Sequence, residues 1–338
     1  MYNKQHLIHL IHLIAVFIAC TFVSTPALSQ TETPKQIHTP PEILKIIEDS
    51  QLCYEISENN DMPASEKSPR ILPPDLYLKQ EDAGYSLAQF SISDKACQVL
   101  EQAETAFKSK DFTKAIELYN QVLIMQPDFY YILTMIGDTY YNLGLYENAK
   151  TFLLQSIEKN FISYQAHWFL SDTYYKIGDI DSALKEITIA HLLNVNNQGI
   201  QKGIRYYRTK LQRPWKEWTF DPQYNLSKDG DKVTIKASEE WLGYALVKAL
   251  WAYEPGYVES MLGEPRGTRM VVWPEEQEAV VVLMAANNKF KNIEEVFEKG
   301  YFTEFITYEM LGKKYPDALV LMPREAFMRI VEYVNAFH

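Results

Sequence analysis

The sequence predicts a mainly α protein: three tandem helical hairpins with a capping helix, then a smaller C-terminal α+β module. Three observations lead there. A block of roughly 100 residues repeats itself at an offset of 34. Glycine is scarce, at 13, while tyrosine reaches 23, a balance that suits helices packed on helices. Beyond residue 212 the period stops, and an alternating pattern around Asp229-Gly230 signals a β-hairpin.

The repeat is visible in Gly137-Asp-Thr-Tyr-Tyr-Asn-Leu-Gly144 against Ser171-Asp-Thr-Tyr-Tyr-Lys-Ile-Gly178. The same offset carries Ala115 onto Ala149 and Ala183, and Tyr119 onto Leu153 and Ile187. Three units follow, 96–129, 130–163 and 164–197. Each reads as two helices and a tight turn. Small residues (Ala103, Gly137 and Ser171; Ala115, Ala149 and Ala183) fall where two helix backbones must approach. Gly144 and Gly178 fall where the turn needs a left-handed residue. One hairpin cannot bury its apolar face alone, but a stack can. Ile200, Ile204, Tyr207 and Leu211 then form one helical stripe that would cap the stack, with Lys202, Arg205, Arg208 and Lys210 as its solvated face.

In period and in the residues at these positions the block resembles the tetratricopeptide repeat (TPR) family. It departs from the pattern at Lys110, where a turn glycine is usual, and at His167, in place of a bulky apolar residue. The resemblance implies a concave face lined by the first helix of each unit. Here that face would present Phe107, Tyr131, Asp138, Tyr141, Asn142, Trp168, Asp172, Tyr175 and Lys176, with Glu104, Asp138 and Asp172 at its inner positions. Members that grip a C-terminal carboxylate carry Lys and Asn at those places. Three carboxylates would instead repel an acidic end and suit a basic or proline-containing segment. The implied partner is a protein or peptide, with no cofactor, and the implied role is a scaffold or adaptor.

Lys4, the apolar run of residues 6–23 and the exit Ala27-Leu28-Ser29 read as a secretory signal cut after Ser29. Two alternatives stay open: an uncleaved membrane anchor, and a lipoprotein modified at Cys20. A periplasmic or secreted location is expected. Residues 1–29 contain one charged side chain, Lys4, so their removal takes the formal charge from −11 to −12. That charge argues against nucleic acid as a partner. An oxidising compartment would permit Cys53 and Cys97 to pair, closing a loop of about 45 residues.

The flanks divide into an N-terminal extension, 30–93, the repeat domain with its cap, 94–212, and a C-terminal module, 213–338. In the extension a helix is expected over Pro41–Ile56, followed by a proline-bearing loop, 58–75. The C-terminal module should hold the hairpin of Tyr224–Lys236, a helix over Glu239–Tyr253 and a strand over Met270–Trp273. A helix from Pro274 to Asn287, helices near 292–299 and 302–312, a strand over Ala318–Met322 and a last helix from Arg324 complete it. No catalytic signature is found: there is neither a phosphate loop nor a nucleophile elbow, and among the histidines left after signal removal, His38, His167, His191 and His338, no pair is spaced for a metal. Arg266 and Arg269, in Glu264-Pro-Arg-Gly-Thr-Arg269, are a candidate anion-binding loop. The chain is therefore expected to bind rather than to catalyse, the alternative being an enzyme or ligand receptor in residues 213–338.

Overall fold

The computed structural model describes residues 37–57, 71–81, 84–217, 220–263, 273–286, 288–312 and 314–338. The expected signal sequence with Cys20, most of the loop over 58–75 and the pair Arg266 and Arg269 lie outside them. In chain order the elements are α1 (Pro40–Asp49), β1 (Cys53–Ser57), β2 (Leu76–Glu81), β3 (Gly84–Gln89) and α2 (Asp94–Lys108). Then come α3 (Phe112–Met125), α4 (Tyr131–Asn142), α5 (Tyr146–Lys159), α6 (Tyr164–Ile177), α7 (Ile180–Leu193) and α8 (Gln198–Lys210). After them follow β4 (Tyr224–Asp229), β5 (Lys232–Ala237), α9 (Leu242–Tyr253), α10 (Tyr257–Leu262), α11 (Trp273–Ala286) and α12 (Lys291–Glu298). The chain ends with α13 (Phe302–Phe305), a π-helical stretch (Ile306–Gly312), α14 (Pro316–Val320) and α15 (Arg324–Phe337). No helix among the described residues is long and apolar enough to cross a membrane.

Two compact units share the chain. One holds the described residues of Met1–Glu66 and Thr219–Ile306; the other holds those of Lys67–Trp218 and Thr307–His338. The C-terminal module expected over 213–338 is thus divided, and residues 307–338 belong with the repeats.

In the repeat unit α2–α7 are the six helices of the three hairpins. Ala103, Ala115, Ala149, Ser171 and Ala183 are buried where helices cross. At Gly137 a Cβ would lie 2.6 Å from Leu153 Cγ, so the second hairpin closes only because that side chain is missing. Tyr119, Leu153 and Ile187 fill the space between layers, as their spacing predicts. Gly144 and Gly178 turn with φ 74° and 96°, and Lys110 takes the same left-handed conformation at φ 64°. Asp111 and Asp179 cap α3 and α7 by accepting from Lys114 N and Ser182 N. His167 keeps its core position by bonding at both ring nitrogens. Nε2 donates to Phe161 O at 2.9 Å, and Nδ1 lies 2.6 Å from Glu186 Oε2.

The α8 stripe caps the stack with Ile200, Ile204 and Tyr207 buried, as predicted. Its opposite face is not uniformly solvated. Arg208 is buried, with its guanidinium 5.7 Å from the Trp215 ring centroid. The α15 helix packs on α7 with Phe327, Ile330 and Val331 among its buried residues, and Thr188 Oγ1 donates to Asn335 Oδ1 at 2.9 Å. The strand expected over Ala318–Met322 is the helix α14. Pro316 presets the helical φ of its first turn, and Leu319 and Val320 are buried.

In the other unit β1, β5 and β4 form a sheet in that order, with β1 parallel and β4 antiparallel to the central β5. The predicted hairpin is β4–β5. The helix expected over Pro41–Ile56 stops at Asp49, because Leu52 and Tyr54 then alternate into the core as a strand requires. Of the strand expected over Met270–Trp273, residues 270–272 are outside the described set, and Trp273 already opens α11.

Ala279, Val280, Val282 and Leu283 of α11 are buried, and so are the carboxylates at its start. Glu278 accepts from His38 N at 3.0 Å, Trp251 Nε1 at 2.7 Å and Tyr257 OH at 2.9 Å. Lys248 bonds Glu275, and bonds Glu276 Oε1 at 2.8 Å, while Tyr244 OH donates to Glu276 Oε2 at 2.5 Å. Burial pushes the Lys248 ammonium down, but Glu276 and then Glu275 outweigh it and hold it above its ordinary range. Removing one partner of such a buried pair leaves an uncompensated charge. Lys248→Met should therefore destabilise the protein by about 3–5 kcal/mol in urea unfolding. A loss below about 1 kcal/mol would show that Lys248 is dispensable to this core.

Candidate functional site

The first helices of the repeats carry the predicted groove, and the 34-residue period sets its inner row. Glu104 on α2, Asp138 on α4 and Asp172 on α6 form that row, and the charges of Asp172 and Glu104 both act on Asp138. Each has a neutral hydrogen-bond donor. Tyr119 OH donates to Glu104 Oε1 at 2.9 Å, Asn142 Nδ2 to Asp138 Oδ1 at 3.0 Å, and Tyr207 OH to Asp172. Burial, then the charge of Asp172, push Asp138 up to about 6 against the opposing bond from Asn142, with Glu104 adding to the rise. Asp172 also lies above its ordinary value through burial, opposed by Tyr207 and by Lys176. The row thus stores unfavourable charge that a cation would relieve.

Aromatic rings flank the row. Tyr131 and Tyr141 are half-buried. Burial, followed by nearby carboxylate charge, raises both phenols, Tyr141 to about 12. Tyr175 OH bonds Tyr206 OH at 2.8 Å, and its ring centroid is 5.2 Å from that of Tyr207. Asn142 and Lys176 are exposed. Two other predicted residues are committed to packing. Phe107 meets Phe112 edge-on at 5.7 Å, within the core of the first hairpin. Trp168 fills the space over Gly199 of α8, where a Cβ would come within 2.5 Å of the indole.

Sequence reasoning missed Tyr206 and Tyr207. The signal was available: Tyr206 stands 34 residues after Asp172, so one more step of the period ends the inner row on the capping helix. The Cys53–Cys97 pairing that an oxidising compartment would permit is not made in this structure. Both are free, exposed thiols, Cys53 on β1 paired in register with Lys232 and Cys97 in the first turn of α2. They belong to different compact units.

Residues 130–159, which contain α4 and α5, match the family model for the tetratricopeptide repeat. The helical hairpins of this chain form a tetratricopeptide-repeat stack with a capping helix. Similar solved structures include the first TPR of Spaghetti (RPAP3) bound to the HSP90 peptide SRMEEVD. It is 19% identical over 36% of this chain and 99% of that one, with a TM-score of 0.35. The Sgt2 TPR domain from Aspergillus fumigatus is 17% identical over 41% of this chain and 94% of its own, with a TM-score of 0.35. The TPR2B domain of yeast Sti1, in complex with pHsp70, is 16% identical over 35% and 99%, with a TM-score of 0.33. No curated protein matches the chain.

The Asp138 environment gives a test by pH. Folded Asp138 keeps its proton up to about pH 6, whereas the unfolded chain releases it near 3.8. Between those values the folded state holds the extra proton, so stability falls as pH rises and the full cost is present above about pH 6. Asp138→Asn should therefore raise stability by about 2–3 kcal/mol at pH 7.5, at 1.36 kcal/mol per pK unit, with the gain fading by about pH 4. Thermal melts at the two pH values check this. An equal shift at both would mean that charge is not what the substitution removes.

Proposed function

We propose that the protein is an exported binding module, not a catalyst, and that its repeat stack takes an extended basic or proline-containing segment of a partner protein. The observation that carries this reading is the row Glu104, Asp138 and Asp172, half-buried between Tyr131, Tyr141, Tyr175 and Tyr206. Carboxylates that are desolvated and repel one another favour a guest that brings positive charge. Rings beside them add stacking and cation–π contact for Lys, Arg or Pro. The cations at the edge of the row are Lys108 and Lys176, which stand two periods apart. The N-terminal pattern ending at Ser29 supports export.

Two labelled peptides of equal length, one alternating Pro with Lys and Arg and the other Pro with Glu, distinguish the outcomes by anisotropy. The basic peptide should bind and the acidic one should not. An Asp138→Asn, Asp172→Asn protein should lose about tenfold in affinity, the scale of one or two charge-assisted contacts. Affinity should also weaken from pH 7.5 to 5.5, as Asp138 takes up its proton near 6. Equal binding of both peptides, or a double variant that binds as the wild type does, would sink the reading. Export is checked separately by N-terminal sequencing of the protein from cell envelope and medium, where a chain beginning at Gln30 is expected.

A further inference from the structure

The repeat period carries a second row of side chains, distinct from the acidic one. Gln126, Asn160 and Asn194 stand 34 residues apart, and each ends the second helix of its repeat, with φ between −138° and −149°. All three amides reach one stretch of the chain, residues 71–93. Asn194 Nδ2 donates to Leu72 O at 3.1 Å, and Leu72 N donates back to Asn194 Oδ1 at 3.3 Å, both in buried surroundings. Asn160 Nδ2 donates to Leu76 O at 2.8 Å. Gln126 Nε2 donates to Ser93 Oγ at 3.3 Å.

The stretch runs along the stack from the third repeat to the first. Between Leu76 and Gln89 it leaves the row as the β2–β3 hairpin, and those two residues pair in register, so the chain returns beside the point it left. With the hairpin set aside, the path is Leu72 to Leu76 and then Gln89 to Ser93, four residues in each step. Equal counts of residues thus meet equal steps along the repeat stack, and the first step turns at Pro74 and Asp75.

Asn194 and Asn160 address main-chain atoms, which every extended segment offers. Side-chain selection enters at two places. Leu72 is buried, and the Phe90 ring sits 5.5 Å from Phe129 and 5.6 Å from Tyr130. Pro73 and Pro74 between them fix φ, leaving little entropy to lose, and Pro74 turns the chain with Asp75. The rest of the stretch is lightly held: Ile71 is 56% and Tyr85 58% exposed. Low burial of this kind marks segments that open before the fold does.

We propose that the amide row is a track that reads the main chain of a proline-containing segment turned at its prolines, that residues 71–76 and 90–93 occupy it in cis as a strap, and that a partner segment enters by displacing the strap. The guest would carry an apolar residue at the Leu72 place, prolines after it and an aromatic residue at the Phe90 place. This surface is separate from the acidic row and does not depend on it.

The probe is a labelled peptide that joins residues 71–76 directly to residues 90–93, offered to the full-length protein. Leu72→Asp releases the resident strap and leaves the amides in place. The peptide should bind this variant at least tenfold more tightly than the wild type. Adding Asn160→Ala and Asn194→Ala should remove that gain. A Leu72→Asp protein with wild-type circular dichroism that does not bind, or that binds equally well without the two amides, overturns the proposal. Should Leu72→Asp lose helical signal, hydrogen exchange on the wild type decides. Strap amides exchanging at least tenfold faster than those of α4 and α6 are expected. Exchange in step with global unfolding would show that the strap is not displaceable.

Discussion

Two helix backbones can touch only where at least one of them carries almost nothing, and in the second hairpin that constraint falls on Gly137. Its missing Cβ is the space that Leu153 occupies. Ala103 and Ser171 meet the same demand in the neighbouring hairpins, and Ala115, Ala149 and Ala183 meet it from the other helix of each pair. Because the close approach recurs every 34 residues, the rotation from one hairpin to the next is fixed, and any residue type repeated at that interval becomes a straight row on the stack.

The acidic row and the amide row do opposite electrostatic work. Glu104, Asp138 and Asp172 place charge where burial and mutual repulsion penalise it. Asp138, which receives one neutral donor and faces two other carboxylates, carries the clearest penalty. Gln126, Asn160 and Asn194 place neutral amides where the chain's own polar atoms would otherwise lie against the stack unsatisfied. The second row stabilises the fold and the first is tolerated by it. That asymmetry is a reason to look for external partners at the acidic row before the rest of the surface. It is also why the amide row was found through its own occupant.

The repeat unit was legible because its determinants are local and periodic: small residues at crossings, left-handed residues at turns, an apolar stripe for the cap. Even Lys110, which departs from the glycine pattern, adopts the conformation its position demands. What was not legible depended on distant pairing. Tyr54 and Ile56 read as the tail of a helix because nothing near them announces the strand they pair with, Val233 and Ile235 of β5, far along the chain. Residues 318–322 read as a strand because their apolar run is too short to show a period, and only the burial of Leu319 and Val320 beside Pro316 favours the helix. In the groove, periodicity located the inner row but could not separate Trp168, spent on packing over Gly199, from Tyr175, which keeps its hydroxyl for Tyr206.

The other unit reaches order by a different route, and the difference bears on how its N-terminal segment should be regarded. It has no period to repeat, and α11 brings Glu275, Glu276 and Glu278 into a core where unpaired charge would be untenable. Pairing comes from Lys248 and Tyr244 on α9, from Trp251 and Tyr257, and from His38, which reaches Glu278 with both its backbone N–H and its ring. Ser50 and Tyr54 likewise donate to Glu254 at 2.7 and 2.8 Å. Residues 37–57 thus supply donors to two carboxylates, the helix α1 with Ile43 and Ile47 buried, and the edge strand β1. A segment expected as an N-terminal extension with one helix is a structural part of this unit. Without it Glu278 would lose two of its donors and β5 one of its two neighbours, so the unit's boundary falls before His38 rather than after residue 212.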